Sequence, residues 1–222
     1  MTPTLATSCA ALPPEGAGPP WGGPAAGLTP TLATSCAALP PVAPTLRFPP
    51  ELLLLAQCVK VAFFDVDGVL TDGGIYLSEE GEALKRFNTL DGHGLKLLQK
   101  AGITPAVITG RDSPSLRARL RALGITHAHF GTEDKRPAAE ITLRALGLDW
   151  RRAAAMGDDW PDLPVMRRAA FSCAPANAHL EVRALAHHVT QAGGGHGAAR
   201  EFCDVLLLAS GRYASLLRDY TL

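Results

Sequence analysis

The chain lacks any arrangement of cysteines that would cross-link it or bind a structural metal. Its five cysteines contain no C-x-x-C pair and have no His-rich metal-binding spacing. An odd number also fits poorly with a disulfide framework of the kind that secreted domains use. These absences favour a reducing compartment, and we predict a cytoplasmic location. The cysteines are Cys9, Cys36, Cys58, Cys173 and Cys203.

Long apolar runs and an excess of charge of either sign are also missing. No stretch reaches the roughly 18 apolar residues that a transmembrane helix needs, and the opening lacks the pattern of a secretory signal. We therefore predict a soluble protein with no membrane partner. A formal net charge of +0 provides no basic face for nucleic acid. With 222 residues, 47% of them apolar, the chain can form one domain with a buried core.

The first part of the chain differs in composition from the rest. It is rich in Pro, Gly, Ala, Ser and Thr, and TPTLATSCAALPP occurs twice without change, at residues 2–14 and 29–41. An exact repeat without hydrophobic periodicity indicates a recent duplication of DNA, or a start codon placed too far upstream, rather than a selected domain. We predict that residues 1–47 are disordered and that residues 48–222 form the folded domain.

The folded part alternates short apolar runs with helical patterns. KVAFFD, ITPAVITG and AAAMGD read as strands that stop at polar residues or Gly, whereas SPSLRARLRALG and KRPAAEITLRALG have apolar residues at helical spacing and end on Gly. This alternation predicts an α/β fold, a parallel sheet between helices, in which ligands bind at the carboxyl ends of the strands. GGIYLSEEGEALKRFNT interrupts the pattern and predicts a β-hairpin flap over that edge.

Two acidic residues close together give the strongest chemical signal. DVDGVLTDG follows the first predicted strand, and its Gly-containing turn lets Asp65 and Asp67 approach one ligand. An aspartate carboxylate can attack phosphorus to form an aspartyl-phosphate, which divides one difficult displacement into two easier ones. A second carboxylate can protonate the leaving oxygen and later deprotonate water. The alternative is an ordinary strand-to-turn junction, where Asp and Gly are common.

Three further residues strengthen the phosphatase hypothesis. Thr109, in ITGR, ends a second strand, where its hydroxyl and nearby backbone N–H groups can bind phosphate oxygens. Asp158, in MGDDWPDLPVM, follows a third strand and with Asp65 offers the carboxylate oxygens that Mg²⁺ prefers. Lys135, in TEDKRPAAE, would neutralise charge as a carboxylate attacks a phosphate dianion, although a lone Lys at a helix start usually faces solvent.

In type, order and spacing these segments resemble the four signature motifs of the haloacid dehalogenase superfamily of phosphatases. The resemblance covers about residues 60–218 and leaves no room for a cap domain. It implies a Rossmann-like core with Asp65 as nucleophile, Asp67 as general acid and base, and Thr109 and Lys135 as phosphate-binding catalytic residues. It further implies Mg²⁺ held by Asp65, the Asp67 carbonyl and Asp158.

Two more segments resemble the 3-deoxy-D-manno-octulosonate 8-phosphate phosphatases in particular. KRFNTLDGHGLKLL is similar to a KxFNxxDGxG segment of that family, and GGGHGAAREFCDVLL to its glycine-rich tail. The resemblance implies a homotetramer and a Mg-dependent hydrolase acting in lipopolysaccharide biosynthesis. Arg111 is the sharpest discriminator, since relatives acting on nine-carbon acids carry Glu there. The implied substrate-binding residues are Asp67, Asn88, Thr89, Leu90, Asp91, Gly92, Lys96, Arg111, Arg119 and Lys135.

Other interpretations remain open at this point. Arg119 and Lys96 are also compatible with a solvated helix face, since Arg119 has Arg117 and Arg121 beside it. The enzyme could act on another sugar acid phosphate, such as a nine-carbon one, or on many phosphate esters. A domain of this type could also serve as a non-catalytic oligomerisation module, although intact Asp65 and Lys135 argue against that.

Overall fold

The computed structural model describes residues 44–221. Of the segment predicted to be disordered, residues 1–43 lie outside the described part, and residues 44–49 form neither helix nor strand. The disorder of residues 1–47 therefore stays a prediction. None of the helices within residues 44–221 combines the length and the apolar character that crossing a bilayer requires. In the same part, the cysteines Cys58, Cys173 and Cys203 are free thiols.

A six-stranded parallel sheet forms the centre of the domain, in the order β5-β4-β1-β6-β7-β8. The strands are β1 (Val61–Phe64), β4 (Thr104–Ile108), β5 (His127–His129), β6 (Ala153–Met156), β7 (Phe171–Ala174) and β8 (His188–Val189), and β2 (Tyr76–Ser78) pairs with β3 (Gly81–Leu84) in a separate antiparallel hairpin. The helices are α1 (Pro50–Ala56), α2 (Thr89–Lys100), α3 (Pro114–Leu123), α4 (Lys135–Leu146), α5 (Leu163–Met166), α6 (Leu180–Leu185), α7 (Ala198–Ala209) and α8 (Tyr213–Asp219). The predicted α/β fold, including the flap hairpin, is confirmed.

Both faces of the sheet are buried, which explains why its strands read as continuous apolar runs. In β1, Ala62 and Phe64 point into a core beneath α1, α2, α3 and α7, whereas Val61 and Phe63 point into a second core beneath α4, α5 and α6. Each buried Phe stabilises the fold by about 1.5–3 kcal/mol relative to an exposed one. The two cores hold β1 rigidly between them.

The order of the strands defines where a ligand would bind. From β1 the chain first builds β4 and β5 on one side, and after α4 it returns to build β6, β7 and β8 on the other. Such a reversal opens a crevice at the carboxyl ends of the central strands. The crevice in this protein therefore lies after β1, β4 and β6.

Candidate active site

Three of the predicted site residues follow these three central strands. Asp65 comes directly after β1, Thr109 directly after β4, and Asp158 two residues after β6. The turn that follows β1 and Asp65 contains Gly68, whose φ is +89°. A Cβ at Gly68 would lie 2.0 Å from Oδ2 of Asp158. Only glycine therefore permits both this backbone conformation and the close approach of the Asp158 carboxylate.

Lys135 links two of the buried carboxylates. It begins α4, and its ammonium donates hydrogen bonds to Oδ1 of Asp65 and, at 2.6 Å, to Oδ1 of Asp162. Burial lowers the pKa of Lys135, but the neighbouring carboxylates of Asp162 and Asp65 outweigh that effect and the net shift is upward. Lys135 is therefore fully charged and fixes one oxygen of Asp65.

Asp162 holds the loop that carries Asp158. Its second oxygen, Oδ2, accepts hydrogen bonds from the backbone N–H groups of Asp158 at 2.9 Å and Asp159 at 3.2 Å. Gly157 makes this arrangement possible, since a Cβ there would lie 2.2 Å from Cβ of Asp162. Both oxygens of Asp162 are thus engaged by donors from the protein itself.

The three carboxylates form a group that suits a divalent cation. Asp65, Asp158 and Asp162 each present an oxygen within 4.8 Å of the others, and within residues 44–221 only Lys135 offsets their charge by direct contact. Burial, with Asp162 nearby, raises the pKa of Asp65 to about 6. Burial, with Asp65 and then Asp162 nearby, raises the pKa of Asp158 to about 8. Hard oxygen donors with excess negative charge fit Mg²⁺, and Asp65 and Asp158 are the two with an oxygen not engaged by Lys135 or the loop amides.

A cavity of about 270 Å³ opens beside this cluster. It is large enough for a phosphate group with part of a sugar, and its lining combines anionic, cationic and hydroxyl groups. The lining includes Asp65, Asp67, Thr109, Arg111, Lys135 and Asp158. The structure thus brings together at one place all the predicted catalytic and metal-binding residues, together with Arg111.

The flap supplies charged groups on the opposite side of Asp67. Lys85 follows β3, its side chain is only 2% exposed, and its ammonium donates a hydrogen bond to Oδ1 of Asp67. Glu82, in β3, approaches the ammonium of Lys85 at 3.3 Å and Arg111 at 3.7 Å through Oε2. Its other oxygen is buried without a hydrogen-bond partner among residues 44–221. The general acid predicted from the sequence is therefore in contact with the flap.

Comparison with known proteins identifies the family of this chain. Residues 132–202 match the family described as haloacid dehalogenase-like hydrolase. A 3-deoxy-D-manno-octulosonate 8-phosphate phosphatase of Yersinia pestis is 42% identical over 159 residues, which cover 72% of this chain and 85% of the relative. The chain belongs to the 3-deoxy-D-manno-octulosonate 8-phosphate phosphatase family. The family predicted from the motifs is confirmed.

Two solved structures of this phosphatase family resemble the chain closely. The phosphatase of Moraxella catarrhalis, in complex with a magnesium ion, a phosphate ion and a KDO molecule, is 36% identical with a TM-score of 0.74, covering 77% of this chain and 98% of its own. The cobalt-bound phosphatase of Haemophilus influenzae is 40% identical with a TM-score of 0.70, covering 72% and 93%. Both likenesses cover more than two thirds of this chain.

The substrate segment inferred from the phosphatase family, residues 88–92, lies at the start of α2 and does not line the cavity. Asn88 caps the helix by accepting a hydrogen bond from the N–H of Leu90, and Thr89 and Leu90 are exposed. Asp91 is buried and accepts hydrogen bonds from the N–H groups of Gly197 at 3.3 Å and Arg200 at 2.8 Å. In this chain Asp91 therefore caps α7. A role for the segment in substrate binding stays a prediction.

The two remaining predicted contacts also lie outside the cavity lining. Arg119, half-buried on α3, donates a hydrogen bond at 3.1 Å to the carbonyl of Asn88 and packs against Gly92, where a Cβ would meet the guanidinium at 2.2 Å. Lys96 is exposed on α2. Arg119 thus braces the start of α2, and substrate binding by Arg119 and Lys96 stays a prediction.

Sequence reasoning missed three residues of this phosphatase site: Asp162, Glu82 and Lys85. Asp162 is the last acid of GDDWPD, and its spacing from Asp159 is that of a capping box, which could have indicated that it folds back on the loop. Lys85 is the first residue of the KRFN segment that carries part of the family resemblance. For Glu82 the sequence contains no comparable signal, because its partners lie on other elements.

Proposed function

We propose that this protein hydrolyses 3-deoxy-D-manno-octulosonate 8-phosphate to the free sugar acid and inorganic phosphate, as a Mg-dependent phosphoric monoester hydrolase of lipopolysaccharide biosynthesis. The single observation that carries the proposal is the convergence of Asp65, Asp67, Thr109, Lys135 and Asp158 on one cavity at the carboxyl ends of β1, β4 and β6. Membership of the phosphatase family, at 42% identity to a named relative, supports the choice of substrate.

Asp65 is the proposed nucleophile. Lys135 contacts Oδ1, and the carboxylate attacks phosphorus through one of its two oxygens to form an aspartyl-phosphate as the sugar oxygen leaves. Asp65 is buried at the carboxyl end of β1, so few rotamers are available to its carboxylate. This restriction lowers the entropic cost of reaching the reactive geometry. The ammonium of Lys135 remains beside the phosphorylated side chain and offsets charge on the phosphoryl oxygens.

Asp67 is the proposed general acid and base. In the first step it donates a proton to the sugar oxygen that leaves phosphorus, and in the second it accepts a proton from the water that attacks the aspartyl-phosphate. It lies two residues beyond the nucleophile and lines the same cavity, whereas Asp65 is more buried. The greater exposure of Asp67 suits an acid that must contact both the leaving group and water.

The remaining residues of the cavity would bind the substrate and the metal. Thr109, through its hydroxyl, and Lys135 are the proposed contacts of the phosphoryl group. Arg111, about half exposed at the rim, is placed to pair with the sugar carboxylate, for which a guanidinium offers two parallel donors. Asp65, Asp158 and the carbonyl of Asp67 would hold Mg²⁺, which supplies charge stabilisation at the phosphoryl oxygens when bound.

Two finer statements belong to the proposal as well. The homotetramer expected from the family is supported by the apolar surface of the flap, where Leu77 is 72% and Leu84 51% exposed. A cytoplasmic location is supported by the free thiols Cys58, Cys173 and Cys203.

A phosphate-release assay tests the proposed reaction. With Mg²⁺, purified protein is expected to release phosphate from 3-deoxy-D-manno-octulosonate 8-phosphate far faster than from a nine-carbon 2-keto acid 9-phosphate or from common sugar phosphates, and a chelator is expected to abolish the reaction. Equal rates across the substrates would indicate a broad phosphatase. No release from any of them would favour a non-catalytic module.

Asp65→Asn separates the chemistry from the fold. The variant removes the nucleophile while its side chain keeps almost the same shape, so turnover should be lost and the circular dichroism spectrum retained. Asp149→Asn is the matched control, since Asp149 caps a short 3-10 turn before β6 at the opposite edge of the sheet. That control should keep the wild-type rate.

A further inference from the structure

Lys85 stands out because it is a buried cation on an otherwise exposed hairpin. The flap strands β2 and β3 are largely exposed, yet the Lys85 side chain that follows them is 2% exposed and ends on Asp67. Burial of an ammonium group is costly unless it is paired, and two carboxylates, Asp67 and Glu82, meet this one. Anchoring the hairpin alone would not require contact with a reactive group.

The contact fixes one particular oxygen of Asp67. Lys85 binds Oδ1, whereas the closest approach of Arg111 is to Oδ2, at 3.9 Å and beyond hydrogen-bond distance. A carboxyl group that is to deliver a proton from one oxygen needs its rotation about the Cβ–Cγ bond restricted. The ammonium of Lys85 restricts that rotation by holding Oδ1, and Oδ2 remains outside this contact.

Glu82 in turn restricts Lys85. Its Oε2 lies 3.3 Å from the ammonium and 3.7 Å from Arg111, so one flap carboxylate orients both cations around Asp67. The chain from Glu82 through Lys85 to Asp67 thus connects the hairpin to the group proposed as the general acid. These contacts all occur within a single subunit.

We propose that Lys85 is a positioning residue that holds Asp67 in the orientation needed to protonate the leaving group, so that the flap takes part in the first chemical step. The inference rests on the proposed function, since it presumes that Asp67 acts as the acid. It predicts that loss of Lys85 lowers the reaction rate most for substrates whose leaving oxygen must be protonated.

Two aryl phosphates test this without involving the sugar. Phenyl phosphate needs its leaving oxygen protonated, whereas p-nitrophenyl phosphate releases a stable anion, and neither carries a carboxylate that Lys85 could bind. The measured quantity is kcat/KM, which covers the steps up to departure of the leaving group and excludes hydrolysis of the aspartyl-phosphate. A well-positioned acid contributes about 10²–10⁴-fold.

Lys85→Met keeps the length of the side chain and removes its charge. We expect kcat/KM to fall by about 10–100-fold for phenyl phosphate and for the sugar ester, and by less than about threefold for p-nitrophenyl phosphate. Lys85→Arg, which keeps a cationic donor, should recover part of the loss. Lys60→Met is the matched control, because Lys60 is an exposed lysine just before β1 at the opposite edge of the sheet, and it should behave as wild type.

An equal loss on both aryl esters, or no loss on either, would overturn the proposal. If Lys85→Met does not fold, Lys85→Gln is measured in the same way, with the same two outcomes deciding. Wild-type protein that hydrolyses none of the esters would instead contradict the proposed function, so the two failures are distinguishable.

Discussion

At the scale of single residues, Asp162 has hydrogen-bond donors from the protein on both of its carboxylate oxygens. Oδ1 accepts a hydrogen bond from the ammonium of Lys135, and Oδ2 accepts hydrogen bonds from the N–H groups of Asp158 and Asp159. Its side chain is 8% exposed, so these contacts are shielded from water. Asp162 therefore supports the loop and the lysine on which the proposed nucleophile depends.

Replacing Asp162 by Ala should damage stability and activity together. The change takes one of two buried carboxylate partners from Lys135 and leaves the amides of Asp158 and Asp159 without theirs, and we expect the free energy of unfolding to fall by about 3–5 kcal/mol. Phosphate release should fall at least about tenfold, because Lys135 and Asp158 lose a common anchor. Denaturant unfolding and the phosphate assay measure the two effects.

The exposed pair of Asp112 with Arg117 provides the control for Asp162. Asp112→Ala also breaks a bidentate contact to a cation, but in solvent, where such pairs contribute little. It should leave stability nearly unchanged. Equal effects of the two substitutions would contradict the role assigned to burial.

The raised pKa values of Asp65 and Asp158 predict how Mg²⁺ stabilises the protein at different pH. In the metal-free fold these pKa values lie at about 6 and about 8, above the ordinary 3.8, so the stability that they contribute is lost as the pH rises through them. A bound cation binds the ionised forms and offsets that loss. The increase in Tm on adding Mg²⁺ should therefore be larger at pH 8.5 than at pH 5.5.

Thermal unfolding with Mg²⁺ and with a chelator, at both pH values, measures this dependence. Asp65→Asn should reduce the effect of Mg²⁺ at the higher pH, since it removes one proposed ligand. An increase in Tm that is the same at both pH values, or larger at pH 5.5, would be inconsistent with these carboxylates as the binding groups.

The residues that sequence reasoning found and missed differ in whether a local sequence pattern marks their position. Asp65, Thr109 and Asp158 were predictable because each follows an apolar strand, and parallel strands bring their ends to one edge. The cap that Asp91 provides for α7 depends on residues more than 100 positions away. No local pattern encodes such a contact. The link from Lys85 to Asp67 spans only 18 positions, but it also joins side chains of different segments without a local signal.

At the scale of elements, the glycine-rich loop before α7 packs tightly against the turn after β1. The N–H of Gly195 donates a hydrogen bond at 2.9 Å to the carbonyl of Val69, and a Cβ at Gly194 would lie 1.7 Å from the carbonyl oxygen of Gly68. The GGG sequence was predicted as a family feature. The structure gives a physical reason for these glycines. The loop packs on the turn at Gly68 and Val69, which joins the two proposed catalytic aspartates to the flap.

Gly194→Ala should therefore impair catalysis through the backbone. A methyl group there would force the loop and the turn apart, at a cost of about 1–3 kcal/mol for overpacking, and we expect kcat to fall by at least about tenfold as Asp67 shifts. Steady-state kinetics and thermal unfolding measure the two effects. Retention of the wild-type kcat would show that the turn tolerates the displacement.

Gly211, after α7, is the informative control for this substitution. It has φ of +70° with no atom near its missing Cβ, so Gly211→Ala introduces backbone strain without a clash. That strain costs about 1–2 kcal/mol. We expect lower stability with the activity of the folded protein unchanged, so that loss of stability and loss of geometry are separated.

Element boundaries were largely predictable, because the local signals agree with the tertiary fold. The helices of SPSLRARLRALG and KRPAAEITLRALG end at Gly124 and Gly147, which adopt φ of +71° and +66° as helix-ending glycines do. The hairpin and its place as a flap over the carboxyl ends of the strands were also predicted, but the contacts that hold it there were not. Those contacts join side chains of Lys85, Glu82 and Arg86 to Asp67, Arg111 and the Gly195 carbonyl, which lie on other parts of the chain.

At the scale of the whole molecule, the flap exposes several large apolar side chains to solvent. Ile75, Tyr76, Leu77 and Leu84 are between 42% and 72% exposed, and an isolated pair of strands is only marginally stable in water. A group of exposed apolar side chains on one hairpin is typical of a patch for protein–protein contact. The patch favours burial against other copies of the chain, in keeping with the proposed homotetramer.

Leu77→Glu tests that assembly, since Leu77 is the most exposed of the four and a buried carboxylate at each copy of an interface is strongly unfavourable. Light scattering after size exclusion should give a mass near four times 23.3 kDa for wild type and a smaller mass for the variant. Ile141→Glu on α4, where Ile141 is 51% exposed, should keep the wild-type mass. A monomeric wild type, or an unchanged mass for Leu77→Glu, would show that the flap does not hold the subunits together.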